Sequence, residues 1–230
     1  MFVMFVNKSH RINKVTGCAL AFCLFFLSAL VCAQPAFADG KNDDWHLLLV
    51  NKQNPVPEGY EAELVEYNNT GKMVDKRMVA DLDRMLKAAG KDGIRLSICS
   101  AYMSYERQSQ LFNNKISSCL GSADNYLKAY SKAATTVAPP GTSEHQTGLA
   151  LDIVTGSYTS LDAGFGDTKA GKWLAQNGAD YGFILRYPKG KEDITGIIYE
   201  PWHNRYVGCE YAKEISGLGI TLEEYIYGDY

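Results

Sequence analysis

Apolar and polar residues alternate along this chain with two periods, and the switches between them mark its elements. Met78, Leu82, Met85, Leu86 and Ala89 recur every three or four positions, which predicts an amphipathic helix. Gly90 follows and is placed to cap it. In IRLSICS the period shortens to two, so Ile94, Leu96 and Ile98 share one face of a strand. Ser104 can cap a helix carrying Tyr105, Gln108, Leu111 and Phe112, and a further helix is expected after Ser122, ending before Pro139-Pro140-Gly141. Thr168 can cap another, with Trp173 and Leu174 inward and an end near Asn177-Gly178. Leu222 to Tyr227 predicts a short terminal helix. WHLLLVNK from Trp45, GLALDIV from Gly148 and GIIYEPWH from Gly196 read as strands. Strands and helices intersperse without repeating βαβ units, so the expected fold is α+β, an antiparallel sheet flanked by helices.

One predicted strand holds an anomaly. Asp152 stands between Leu151 and Ile153, and burying an unpaired carboxylate costs at least several kcal/mol. It needs a partner.

Composition sets the compartment. The chain has 230 residues, 46% of them hydrophobic, enough for one sizeable core. Lys8, Arg11 and Lys14 precede an uncharged stretch from Val15 to Ala38, with Ala36-Phe37-Ala38 before Asp39. That order is a signal peptide, or an uncleaved N-terminal membrane anchor, since the apolar run of roughly 17 residues reaches the lower limit for spanning. Residues 1–38 are therefore set apart from a single domain over 39–230. That domain is expected to be exported, working at the extracellular face of the cytoplasmic membrane or in the cell wall, as a monomer. Without the leader's three cations the formal charge moves from −3 to −6 (−3 − 3), which gives no reason to expect a nucleic-acid partner. Cys99, Cys119 and Cys209 allow one pair at most, so disulfides are not the framework.

Candidate chemistry gathers around the anomaly. The exported part has three histidines, His46, His145 and His203; His145 lies seven positions before Asp152, and His203 three after Glu200. A catalytic zinc takes three protein ligands and leaves one position open. His145, Asp152 and His203 could supply that set and neutralise Asp152, leaving Glu200 as a base near an activated water. Spacing alone leaves two ordinary ion pairs as an equal alternative. Pro201 argues against a helix through Glu200 and His203, so this pair has to come from a strand ending in a kink.

Fuller motifs decide between them. Ser143-x-His145-x-x-Gly148-x-Ala150-x-Asp152 with Glu200-Pro201-Trp202-His203 resembles the paired signature of the VanY-type D-alanyl-D-alanine carboxypeptidases. These are zinc D,D-peptidases related to the VanX-type dipeptidases and to the zinc domain of hedgehog proteins. LLLVNKQNPVPEGY, SAYMSYERQ, YGFILRYP and HNRYVG extend the likeness from about Leu47 to Gly208. The resemblance implies a hedgehog/D,D-peptidase-like fold and Zn²⁺ on His145, Asp152 and His203. It further implies Glu200 as catalytic base, Ser143 and Gln108 on the substrate's C-terminal end, and a peptidoglycan stem peptide ending in D-alanine as partner. An L,D-carboxypeptidase acting on tetrapeptide stems is the alternative within the same chemistry. Gly148 and Ala150 are expected to allow close approach of another element, Gly148 alternatively to supply a backbone angle; Trp202 is expected in the core or at the site.

One position departs from the pattern. Where the family reads S-[GA]-Y-R-S, this chain has Ser100-Ala101-Tyr102-Met103-Ser104, and a thioether cannot offset an oxyanion's charge. Arg107, one helical turn on, could reach inward in its place, or could be a solvated helix charge pairing with Glu106 or a neighbour. Otherwise the protein is an enzyme slowed by Met103, or a non-hydrolytic zinc-containing module that binds cell-wall peptide. Arg186 is expected to be a structural ion pair.

Overall fold

The computed structural model describes residues 44–228 and Tyr230; the leader and its Ala36-Phe37-Ala38 site lie outside the described residues. A hairpin of β1 (Leu64–Glu66) and β2 (Met73–Asp75) comes first. Then follow α1 (Val79–Lys91), β3 (Leu96–Ser100), α2 (Tyr105–Leu120), α3 (Tyr126–Ala134) and β4 (Ala150–Thr155). The chain closes through α4 (Lys169–Asn177), β5 (Phe183–Leu185), the single-turn α5 (Glu192–Thr195), β6 (His203–Tyr206), α6 (Cys209–Leu218) and α7 (Leu222–Tyr227). The larger sheet is antiparallel, in the order β3-β4-β6-β5. This is the expected α+β class.

All of β4 is buried, and its alternation sorts residues between two environments. Leu151 and Ile153 join Leu82, Met85, Phe165 and Trp173 in the main core. Each such side chain contributes about 1.5–3 kcal/mol on burial. Asp152 points to the other face. Ile184 of β5, Val207, Ile215 and Leu222 form a second core, and Phe112, Ile116, Ala129 and Ala133 a third between α2 and α3.

Several elements differ from expectation, each for a local reason. Trp45–Lys52 is not a strand but a 3-10 turn, Trp45–Leu47, capped when the Asp44 carboxylate accepts from the His46 N–H at 3.0 Å. Leu47 and Val50 are nonetheless buried, so their apolar pattern reports burial without pairing. The helix expected to stop at Gly90 runs through it to Lys91, because a Schellman motif closes three residues later. There Gly93 takes φ +75°, its N–H meets the Gly90 carbonyl at 3.1 Å, and the Ile94 N–H meets that of Ala89 at 2.8 Å. The segment from Gly196 pairs as a strand only from His203 onward, since Pro201 has no N–H to give a ladder. β1, β2 and β5 have three residues each, too few to show a period, and α6 buries only Ala212 and Ile215. Cys99, Cys119 and Cys209 are free, and among the described residues no helix is long and apolar enough to cross a membrane.

Gly148 answers to both expectations at once. Its φ is +76°, and an added Cβ would meet Leu64 Cδ2 at 2.8 Å and the backbone nitrogen of Asp75 at 3.1 Å. Leu64 can move, but Asp75 cannot, because its N–H donates to the Gly148 carbonyl at 3.0 Å. Gly148→Ala is therefore expected to destabilise the fold by about 1–3 kcal/mol, read as a lower urea midpoint at unchanged slope.

Candidate metal centre

Strand register builds the site. Asp152 of β4 lies directly opposite His203 of β6, placing carboxylate and imidazole on one sheet face. Glu200 enters by a turn instead: the His203 N–H closes onto the Glu200 carbonyl at 3.0 Å around Pro201-Trp202, which folds both side chains together. The 3-10 turn Glu144–Thr147 delivers His145 from a third direction. A bulge in β3, where Ile98 pairs with Ile153 but Ser100 with Asp152, brings the chain after it against His145. There the Ala101 carbonyl accepts from His145 Nδ1 at 2.7 Å, and the Met103 N–H donates to the His145 carbonyl at 3.0 Å.

These constraints aim the ring nitrogens. With Nδ1 committed to Ala101, His145 turns Nε2 to Asp152 Oδ2 at 3.4 Å. His203 presents Nδ1 to Asp152 Oδ1 at 3.4 Å and to Glu200 Oε2 at 3.7 Å. One ligand atom from each of His145, Asp152 and His203 falls within 4.8 Å of the others, and all three residues are buried. The far nitrogen of His203, Nε2, faces Glu144 Oε2 at 3.6 Å. Glu144 is itself pinned, its Oε1 accepting from Arg186 Nε at 2.7 Å and from an Arg205 terminal nitrogen at 2.9 Å. Arg186 also forms a two-pronged pair with Glu223 of α7, both bonds 2.7 Å. It is the structural ion pair expected from its sequence.

Electrostatics follows from burial and neighbours. Burial lifts the Glu200 carboxyl to about 8; Asp152 adds to the rise, while His203 and Lys115 oppose it. For His203 burial works downward, but Asp152 and Glu144 prevail and raise the imidazole to about 9. Burial disfavours ionised Asp152 too, yet the two imidazoles hold its carboxyl well below the usual range. Arg186 and Arg205 do the same for Glu144. Even so, Asp152 Oδ1, His203 Nε2 and Glu144 Oε2 are buried without a hydrogen-bond partner. A carboxylate oxygen left bare between two imidazoles is what a bound cation completes, so the donor set fits a divalent metal.

The cluster forms the floor of a cleft of about 610 Å³, lined also by Ser143, Gln108, Met103, Glu200 and Trp202. Trp202 belongs to the core and to the site wall together. The VanY family model, described as D-alanyl-D-alanine carboxypeptidase, matches residues 71–209. The chain belongs to the VanY family. It is 45% identical to the putative carboxypeptidase YodJ of Bacillus subtilis (strain 168), over 80% of this chain and 68% of that one. The structure of VanYB in complex with D-alanine-D-alanine is similar at 40% identity and a TM-score of 0.74, covering 81% of this chain and 99% of that chain. A VanY mutant from a VanB-type resistance cassette, in complex with Zn(II), is 40% identical with a TM-score of 0.72, over 79% and 98% of the two chains.

Against this VanY frame two expectations need correction. Arg107 does not reach inward: it is exposed on α2 and its guanidinium donates to Gln110 Oε1 at 3.3 Å, the solvated helix charge paired with a neighbour. The Ser104 hydroxyl accepts from the Arg107 N–H at 3.2 Å and caps the helix, and the packing of α2 by its buried Gln108, Phe112 and Ile116 leaves Arg107 on the exposed side. Met103 does line the cleft, so no guanidinium replaces the family's arginine there. Gln108 is more restricted than expected, because its Nε2 is spent on the Ala138 carbonyl at 2.7 Å and its buried Oε1 remains as an acceptor. Glu144 and Lys115 were not singled out from sequence. Glu144 was discoverable as a charge inside the Ser143–Asp152 motif that Arg186 and Arg205 were available to balance.

Two outcomes are expected. Below pH 9 the metal-free His203 holds a proton that a metal ligand must shed, so binding should release at least one proton at pH 7. Apparent affinity should then rise about tenfold per pH unit towards pH 9, measurable by calorimetry in buffers of different ionisation enthalpy. Glu144→Gln should weaken metal affinity about 10- to 100-fold in chelator competition, by releasing the outer nitrogen of His203.

Proposed function

We propose that this protein is a zinc-dependent carboxypeptidase that removes the C-terminal D-alanine from peptidoglycan stem peptides outside the cytoplasmic membrane. The observation that carries it is the convergence of His145, Asp152 and His203, with the Glu200 carboxylate beside them, on the floor of a cleft of about 610 Å³. Zn(II) and D-alanine-D-alanine in the related structures support this choice of metal and substrate. The uncharged stretch from Val15 to Ala38 supports the location, since that substrate lies outside the membrane.

His145 through Nε2, Asp152 through its carboxylate and His203 through Nδ1 would hold the zinc ion. Zinc so held supplies Lewis acidity, polarising a carbonyl and making a water acidic near neutral pH. Glu200 accepts the proton of the attacking water and returns it to the amine of the departing D-alanine. Its lifted carboxyl suits both halves of that task, and a nearby dication favours the ionised form with which the cycle begins. Ser143 hydrogen-bonds the substrate's C-terminal end, while the acceptor oxygen of Gln108 suits a substrate N–H. His145, hydrogen-bonded through Nδ1 to Ala101, and His203, with Nε2 facing the Glu144 carboxylate, are oriented by these outer contacts.

The test is free D-alanine released by the zinc-loaded protein from a stem pentapeptide. Glu200→Gln should retain zinc and lose about 10³-fold or more in kcat. Met103→Arg should raise kcat, by up to about 10²-fold, by restoring a donor for the oxyanion. Release from tetrapeptide alone would instead assign L,D specificity, and peptide binding with no release by fully metallated protein would assign a binding module.

A further inference from the structure

Outside the cleft, one face of the molecule carries a cluster of tyrosines that the metal centre does not use. Tyr105 of α2 is 55% exposed, Tyr126 of α3 56% and Tyr130 of α3 39%. Their hydroxyls make no hydrogen bond among the described residues. Contacts join them into one surface. Phe112 meets Tyr130 edge-on at 5.1 Å and fixes its ring, and the Tyr126 ring follows at 6.4 Å. Tyr130 also walls a surface depression of about 400 Å³ with Ser131, Pro139 and Thr142. Tyr105 reaches the same turn, since an added Cβ on Gly141 would stand 3.6 Å from its ring. That turn is shared with the catalytic cleft: Ala138 and Ser143 line the cleft, while Pro139 and Thr142 between them line the depression.

Three exposed rings around a hollow mark a surface that binds something. The lining says what. Flat apolar rings with free phenol hydroxyls, beside the free hydroxyl of Ser131, match a ligand with C–H faces and a rim of hydroxyl and amide groups. An amino-sugar has that surface. Charge argues the same way, because the lysines around the face are engaged. Lys128 pairs with Asp124, Lys132 donates to Ser122 Oγ at 3.1 Å, and Lys52 donates to the Gly196 carbonyl at 2.8 Å. Little is left to attract an anionic partner, whereas an uncharged polymer asks for none. Resting on the cell-wall reading of the function, we propose that this face is a glycan subsite that takes the amino-sugar strand of peptidoglycan. It holds the enzyme on the polymer's sugar backbone while the cleft works on the peptides.

The probes are chitotetraose, an uncharged amino-sugar oligomer without peptide, and glycan strands stripped of their stems. Titrated into the zinc-loaded protein in a calorimeter, both should bind, and Tyr126→Ser or Tyr105→Ser should weaken binding about tenfold. The same two variants should release D-alanine from a soluble pentapeptide at the unaltered rate, and from insoluble sacculi about tenfold more slowly. Failure of both glycans to bind, or binding that the two variants leave unmoved, would overturn the subsite while leaving the carboxypeptidase assignment standing. So would tyrosine-dependent binding to anionic lipid vesicles without glycan binding, since the exposed Leu127 beside Tyr126 is a feature that a bilayer also uses. Glycan binding that the tyrosine variants abolish, in a protein that releases no D-alanine, would sustain the subsite and overturn that assignment.

Discussion

The pairing of β4 with β6 is the constraint on which everything at the site depends. It sets Asp152 against His203, and a slip of a single residue would send both side chains to the opposite face of the sheet. What prevents the slip is apolar. Leu151 and Ile153 flank Asp152 and are locked into the main core, while Tyr206 holds β6 on the same side with its hydroxyl bonded to Asp81 at 2.6 Å. The hydrophobic effect thus keeps two polar groups in register that would not choose each other's company unaided.

Around that pair, buried charge provides orientation rather than stability. Glu144, Arg186, Arg205 and Glu223 bring two negative and two positive charges into the interior, and such a cluster rarely outperforms apolar packing in free energy. Its value lies in geometry. The planar guanidiniums fix the Glu144 carboxylate from two directions, and its remaining oxygen is left for His203. His145 receives the equivalent restraint from a backbone carbonyl placed by the β3 bulge. The two imidazoles are therefore positioned by unrelated means, one by a buried carboxylate and one by a hydrogen bond to the backbone.

How much of this was legible in the sequence depended on the length scale of each signal. The helices at Ser104 and Thr168 announced themselves by caps, and the structure begins α2 and α4 where those caps stand, while α7 spans the expected Leu222–Tyr227. β4 was legible because a charge interrupted an apolar run. Three-residue strands left no period to detect, and the Schellman turn at Gly93 was hidden by the earlier Gly90, since sequence does not say which glycine adopts positive φ. At the site, the convergence of His145, Asp152 and His203 was legible only through motifs, because residues far apart in the chain carry no pairwise signal of proximity. The direction of Arg107 was not legible either: whether a side chain one turn into a helix faces a cleft or solvent depends on the helix's roll, which tertiary packing decides.

The Glu223 link also joins α7 to the chemistry of the site. α7 begins with a capping box between Thr221 and Glu224, and its buried Glu223 grips Arg186 on one side and Asn51 on the other. From there Arg186 holds Glu144, whose other oxygen faces His203 of the metal cluster at 3.6 Å. α7 is therefore part of the site's scaffold, since the carboxylate it carries orients the guanidinium that fixes Glu144 beside His203.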